Sequence, residues 1–246
     1  MNKFNIEVYL NSLPEDIEEI DLANCGLNYL PSLSRFKKLK KLCCSSNCLT
    51  SLPDLHENEN LEYLSCHCNK LTSLPKLNKN LKYLCCSNNP LRSLPQLNDK
   101  LVTLLCVNNE LTLFPQLNEK LENLLCTHNQ LTSLPQLNKN LKILICHNNQ
   151  LTSLPYLNEN LGKIDISHNP ISEFIGENIV LNNIKIKIEK LNHFRYLYYA
   201  IKFKKIFRYL LWEKIREPKI MKKYHPRYLI ENLHETTDLD ELLNNW

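Results

Sequence analysis

"LENLLCTHNQLTSLPQLNKN", residues 121–140, runs directly into "LKILICHNNQLTSLPYLNEN", residues 141–160. Leu, Cys, Asn and the Leu-Pro step fall at the same offsets in both, so one structural unit is being written out repeatedly. Working outward in both directions, units open at Ile17, Leu39, Leu61, Leu81, Leu101, Leu121, Leu141 and Leu161, spaced by 22 residues for the first two steps and by 20 thereafter. The shared pattern is LxxLxCxxNxLTSLPxLNxN. A chain of this kind buries its apolar positions only by stacking each unit on its neighbours.

Elementary geometry accounts for the fixed positions. In LxxLxCxxN the fourth and sixth positions lie two apart, so an extended segment turns both to one side. Each unit then contributes one short strand, and stacked units form a parallel sheet with strands about 4.8 Å apart. The ninth position holds Asn47, Asn69, Asn89, Asn109, Asn129, Asn149 and Asn169. An amide there can bond the backbone groups that a turn leaves unpaired, so these side chains are expected to form an internal ladder. Cys25 stands at that position in the first unit. The Leu-Pro step, as in Leu74-Pro75 and Leu134-Pro135, biases the return path to extended backbone.

The pattern resembles the leucine-rich repeat, and the resemblance covers roughly residues 10–175. It implies a leucine-rich-repeat solenoid: a curved parallel β-sheet on the concave face, an extended or irregular convex side, and a ligand-binding role for the concave face. The expected divisions are an N-terminal cap over 1–16, eight repeats over 17–175, and a helical, basic C-terminal region over 176–246 that caps the last coil.

Cysteine is abundant, with 11 residues, all between Cys25 and Cys146. The sixth-position column reads Leu22, Cys44, Cys66, Cys86, Cys106, Cys126, Cys146, Ile166. Aliphatic residues at both ends mark it as a core column in which cysteine acts as a small apolar filler. Cys43 and Cys85, at the fifth position, are expected on the concave face, and Cys48 and Cys68 near the turn. Cys66-His67-Cys68 alternates in direction and lacks the paired ligand spacing of a zinc site, so no metal is expected. No base is placed beside Cys43 or Cys85, so no catalytic nucleophile and no cofactor are expected either.

Positions three, five, seven and eight are expected to line the concave face. The third and fifth columns have charged ends, Glu19, Lys41 and Asp21 at one and Lys163 and Asp165 at the other. Between them lie Tyr63, Tyr83, Leu105, Leu125 and Ile145. Two readings account for this apolar set: a surface for a protein partner, or strand preference and cover by the C-terminal segment. His67, His128, His147 and His168 fall at the rim as single imidazoles. In the second column Glu18, Lys40, Glu62, Lys82, Glu122 and Lys142 alternate in sign, so each charge is expected to meet a complement in adjacent coils.

The net charge of +4 excludes bulk polyanion attraction as the organising feature, but residues 185–227 carry fourteen Lys and Arg against three Glu. Residues 191–215 repeat apolar side chains at helical spacing, Leu191, Phe194, Leu197, Tyr198 and Ile201 among them. That helix reads either as a cap on the last coil or as a surface for a membrane, nucleic acid or an acidic partner. DLDELLNNW, 238–246, reads as a short acidic helix. The absence of a leader pattern and of long apolar runs, with the free cysteines, points to an intracellular protein. LLWEKIREPKIMKKYHPRYL, 210–229, resembles tails of repeat proteins from large amoeba-infecting DNA viruses, which implies a viral protein of host cytoplasm or virion. The LTSLPxL units are also similar to those of bacterial secreted effectors, some of which carry a cysteine-dependent ubiquitin-ligase domain. No cysteine follows Cys146, so that activity does not carry over. The expected function is a non-catalytic protein–protein interaction module, with an adaptor to a host complex such as a ubiquitin ligase, or nucleic-acid or membrane association through 185–227, as alternatives.

Overall fold

A computed structural model describes residues 4–176 and 181–211. Each repeat contributes one three-residue strand: β1 Glu19–Asp21, β2 Lys41–Cys43, β3 Tyr63–Ser65, β4 Tyr83–Cys85, β5 Thr103–Leu105, β6 Asn123–Leu125, β7 Ile143–Ile145 and β8 Lys163–Asp165. They form one parallel sheet in strict sequence order, the arrangement of a solenoid. The register joins equivalent repeat positions, as in Tyr63 beside Tyr83 and Leu84 beside Leu104. The chain divides into two compact units, Met1–Asn192 and His193–Trp246.

The core of the first unit is a set of columns. The fourth-position leucines and Cys44, Cys66, Cys86, Cys106, Cys126 and Cys146 are fully buried or nearly so. Burial of each leucine contributes about 1.5–3 kcal/mol relative to exposure. On the return path no helix forms, because the Leu-Pro steps hold it extended.

Two asparagine ladders run through the stack. At the ninth position the amide of Asn69 donates to the carbonyls of Cys44, at 2.9 Å, and Cys66, at 3.1 Å, while its oxygen accepts from the Leu49 N–H at 3.0 Å. The pattern recurs up to Asn169, which bonds Cys146 and Ile166 and receives Leu151. Cys25 needs no such reach, since no coil precedes the first. The second ladder is formed by the first asparagine of the LNxN segment. Asn78, Asn98, Asn118, Asn138 and Asn158 each donate to the carbonyl of the equivalent asparagine one coil earlier, as Asn138 does to Asn118 at 2.7 Å.

Helix α1, Ile6–Ser12, opens the described chain; Asn5 caps it by accepting from Glu7 and Val8 N–H, and Ile6 and Leu10 are buried. Arg35 ties it down by donating to the Leu10 and Leu13 carbonyls. At the far end α2, Pro170–Ile175, buries Ile171 and Ile175. Helix α3, Leu181–Leu211, begins ten residues before the periodic stretch singled out in the sequence. Ile184 and Ile188 are buried, the latter 1% exposed, and Lys185 and Lys187 donate to the carbonyls of Glu159, Leu161 and Ile175. Leu191 is exposed, as are Phe194, Leu197 and Tyr198 of the second unit. The 238–246 segment and nearly all of 210–229 lie outside the described residues.

The cysteine column offers a paired stability test. The Cys106 thiol sits 3.5 Å from the Leu125 carbonyl and donates to it, whereas the Cys66 thiol has no such acceptor among the described residues. Cys66→Ser should cost about 1–3 kcal/mol for an unpaired buried hydroxyl, and Cys106→Ser about 1 kcal/mol less because its hydroxyl inherits an acceptor. Urea unfolding of the two variants measures the difference, and equal losses would contradict it.

Candidate partner-binding face

The strand alternation sends the third and fifth positions of each repeat to the concave face. At β3 and β4 the third position supplies Tyr63 and Tyr83, whose rings stack with centroids 4.4 Å apart and planes 7° from parallel. Burial pushes the Tyr83 phenol up to about 12, helped by neighbouring Cys85 and Tyr63, so the Tyr83 ring is uncharged at physiological pH. At β5 and β6 the third position turns polar, and the Asn123 amide donates to the Thr103 hydroxyl at 3.1 Å. The apolar character moves to the fifth position there, through Leu105, Leu125 and Ile145, which pair side by side in register. All five residues are half-buried and together make an oblique stripe across five coils.

Beside the tyrosines the floor is low. Ser65 and Cys85 face the concave side as expected but are only 3% and 8% exposed, because short side chains sit in the lee of large rings on adjacent positions. Ser45, Ser87 and Thr127, at the seventh position, are buried too. The eighth position does not line the face: Asn24, Ser46, Cys68, Asn88, Asn108, His128, Asn148 and His168 all take positive φ, between 52° and 56°, forming a left-handed turn at the rim. Asn tolerates that turn, while other side chains forfeit about 1–2 kcal/mol each.

Along one flank the second-position charges pair, but each on one side only. Lys40 meets Glu18 at 2.7 Å, Lys82 meets Glu62 at 2.8 Å and Lys142 meets Glu122 at 2.7 Å. No Lys40–Glu62 or Lys82–Glu122 bridge accompanies them, because each ammonium settles on the carboxylate of the preceding coil or is separated by Val102. These exposed pairs are worth only a few tenths of a kcal/mol, yet they leave the flank electrically neutral. On the other rim the His128 and His147 rings meet edge to face at 5.3 Å. Burial opposes ionisation of Asp165, but the Ser167 hydroxyl and N–H hold its carboxyl below the usual range.

Cys66 is buried, Cys68 exposed in the left-handed turn, and His67 lies half-buried between them, so the three diverge. Among the described residues no three His, Cys, Asp or Glu side chains converge to hold a metal, and no helix is long and apolar enough to cross a membrane.

A family model, leucine-rich repeats in two copies, matches residues 37–79. Among solved structures the chain is similar to the Shigella effector leucine-rich-repeat domain, with 33% identity, a TM-score of 0.55, and coverage of 67% of this chain and 73% of that one. The chain is a leucine-rich-repeat protein. This leucine-rich-repeat chain is also similar to YopM from Yersinia enterocolitica WA-314, with 34% identity and a TM-score of 0.61, and to the leucine-rich effector YopM of Yersinia pestis, with 31% identity and a TM-score of 0.53. It covers 64% and 62% of its own length in those matches, and spans only 34% and 49% of the two YopM chains. No curated protein sequence matches the chain significantly.

Proposed function

We propose that this leucine-rich-repeat protein is a non-catalytic interaction module that holds a protein partner against the oblique stripe Tyr63, Tyr83, Leu105, Leu125 and Ile145. The observation that carries this reading is contiguity: half-exposed apolar side chains occupy five consecutive coils on one face, beside a flank whose charges already satisfy one another. Patches of this kind gain free energy by leaving water. The effector relatives support a partner in another organism's cell, and on this reading the partner belongs to a host and the protein works in the host cytoplasm or travels with a virion. The viral part of that proposal rests on 210–229, nearly all outside the described residues. A role as adaptor to a host complex such as a ubiquitin ligase is the same reading with the C-terminal region as a second docking element.

A second reading has its own observation. Residues 193–211 contain Arg195, Lys202, Lys204, Lys205 and Arg208 and no acidic residue, and Phe194, Tyr196 and Phe203 are exposed, Phe203 by 70%. Cations interleaved with exposed rings suit a polyanionic surface, either nucleic acid or an acidic membrane. The two readings separate cleanly. Tyr83→Glu with Leu125→Glu should reduce protein partner capture from host lysate at least tenfold while leaving the melting transition in place, and unchanged capture removes the concave-face reading. Binding of the full chain to RNA or to acidic vesicles, weakening steeply with salt and indifferent to that double substitution, would favour the second.

A further inference from the structure

The stripe's geometry restricts what can lie on it. From Tyr63 to Ile145 it crosses four inter-coil steps, about 19 Å at the strand spacing of a sheet, and shifts sideways by two residues, about 7 Å, between Tyr83 and Leu105. Every strand beneath it is already paired on both sides except at the ends of the sheet, so the face offers no free backbone edge. Its central side chains, Leu105, Leu125 and Ile145, donate and accept nothing. An extended peptide laid there would strand its own N–H and C=O groups against carbon, at a cost of about 1–3 kcal/mol for each group left unpaired.

We infer that the occupant is an amphipathic α-helix of a partner protein, a conclusion that rests on the concave-face reading above. A helix satisfies its backbone internally and can afford an apolar bed. Its anchors at i, i+4 and i+7 advance by about 5–6 Å per turn, close to the coil spacing, so successive turns can meet successive coils. About 13 residues, three and a half turns, span 19 Å. At one end of that helix the stacked Tyr63 and Tyr83, beside the buried Ser65 and Cys85, are the surface it meets. Charge sets the rest of its chemistry. With Glu62–Lys82 and Glu122–Lys142 closed as pairs along the flank, the stripe between its charged ends demands neither an acidic nor a basic partner, and the helix surface that contacts it is uncharged.

Two display libraries of peptides about 16 residues long test the inference against the full chain. One is built on a helix-forming Ala/Glu/Lys frame with varied residues at i, i+4 and i+7, the other on an extended frame rich in Val, Thr and Pro. Binders are expected from the helical library, with apolar residues selected at the varied positions. They should lose at least tenfold in affinity on Leu125→Glu, or on Leu105→Asn should the first variant fold poorly, and on placing proline at the peptide's centre. Lys79→Ala, away from the stripe, should leave them unchanged. Extended binders, or helical-frame binders that tolerate proline, overturn the helix while their sensitivity to Leu125→Glu keeps the concave face. Binders indifferent to both stripe variants overturn both readings. No binder from either library, or a dimer of the free protein dispersed by Leu125→Glu, which would give the stripe to a second copy of this chain, also overturns the helix.

Discussion

A thiol reagent applied to the folded chain at pH 8 should modify Cys48 and Cys68 at ordinary rates and leave the six column cysteines intact. Cys48 and Cys68 are exposed, whereas Cys44, Cys66, Cys86, Cys106, Cys126 and Cys146 have no accessible surface. Burial, with neighbouring Cys43 adding to it, pushes the Cys44 thiol from 9.0 up to about 12, which lowers its thiolate fraction about a thousandfold. The attacking species is the thiolate, so chemistry and access act in the same direction. Burial likewise raises Cys66, Cys86 and Cys106; the bond shared between Cys126 and Cys146 lowers the former, though its net shift is upward, and raises the latter. Peptide mass spectrometry after timed alkylation reads the order directly, and early labelling of Cys86 or Cys106 would overturn the buried column.

The same column makes the fold sensitive to alkali. In the unfolded chain these thiols ionise near 9, while in the folded chain they stay protonated well above it. The stabilisation is therefore intact below about pH 9 and is lost as pH rises toward the folded values. Each thiol contributes a slope of about 1.4 kcal/mol per pH unit in that window, and six acting together make the loss steep. Replacing three of them by Val or Ala should shift the alkaline midpoint upward even if stability at pH 7 falls.

The repeat register, the buried column and the ninth-position ladder were legible because each repeats at a fixed offset and each obeys a rule of alternation or turn chemistry. Cys85-Cys86 illustrates the limit. That the two residues face opposite sides follows from alternation alone, but the burial of Cys85 depends on the size of Tyr63 and Tyr83 on neighbouring coils, which no single repeat reveals. The left-handed eighth position was hidden by mixed composition, since Ser46, Cys68, His128 and His168 stand beside Asn24 and Asn88 in one geometric role. The second ladder was spelled out in the LNxN of the shared pattern but carried no turn signal of its own. The start of α3 was obscured by Ile184-Lys185-Ile186-Lys187-Ile188, whose strict alternation reads as a strand and whose helical packing uses Ile184 and Ile188 with Leu181, spaced i, i+3 and i+7.

Asn89→Ala should cost about 3 kcal/mol, which for a chain of this size lowers the melting temperature by about 6–12 °C. Its amide donates to the carbonyls of Cys66 and Cys86, each at 3.1 Å, and its oxygen accepts from the Leu71 N–H at 2.9 Å. The carbonyls are not left bare by its loss, because each receives a second amide: Cys66 from Asn69 at 3.1 Å, and Cys86 from Asn109 at 3.2 Å. The Leu71 N–H has no substitute, so one buried orphan and the lost bonds make up the cost. This double coverage predicts a particular non-additivity. Asn69→Ala with Asn89→Ala strips the Cys66 carbonyl of both donors and should cost more than the two single losses summed, by about 1 kcal/mol or more. Asn69→Ala with Asn129→Ala shares no carbonyl and should be additive within about 0.5 kcal/mol. Cys25→Asn should change little, because the first coil has no predecessor whose carbonyl and N–H the amide could reach. Denaturant unfolding of the three single and two double alanine variants, with Cys25→Asn beside them, decides the matter. Additive losses for the adjacent pair would mean that the ladder is a row of independent turns; excess loss confined to that pair would mean that each asparagine is shared between coils, and that the stack is held together by bonds no single repeat can make.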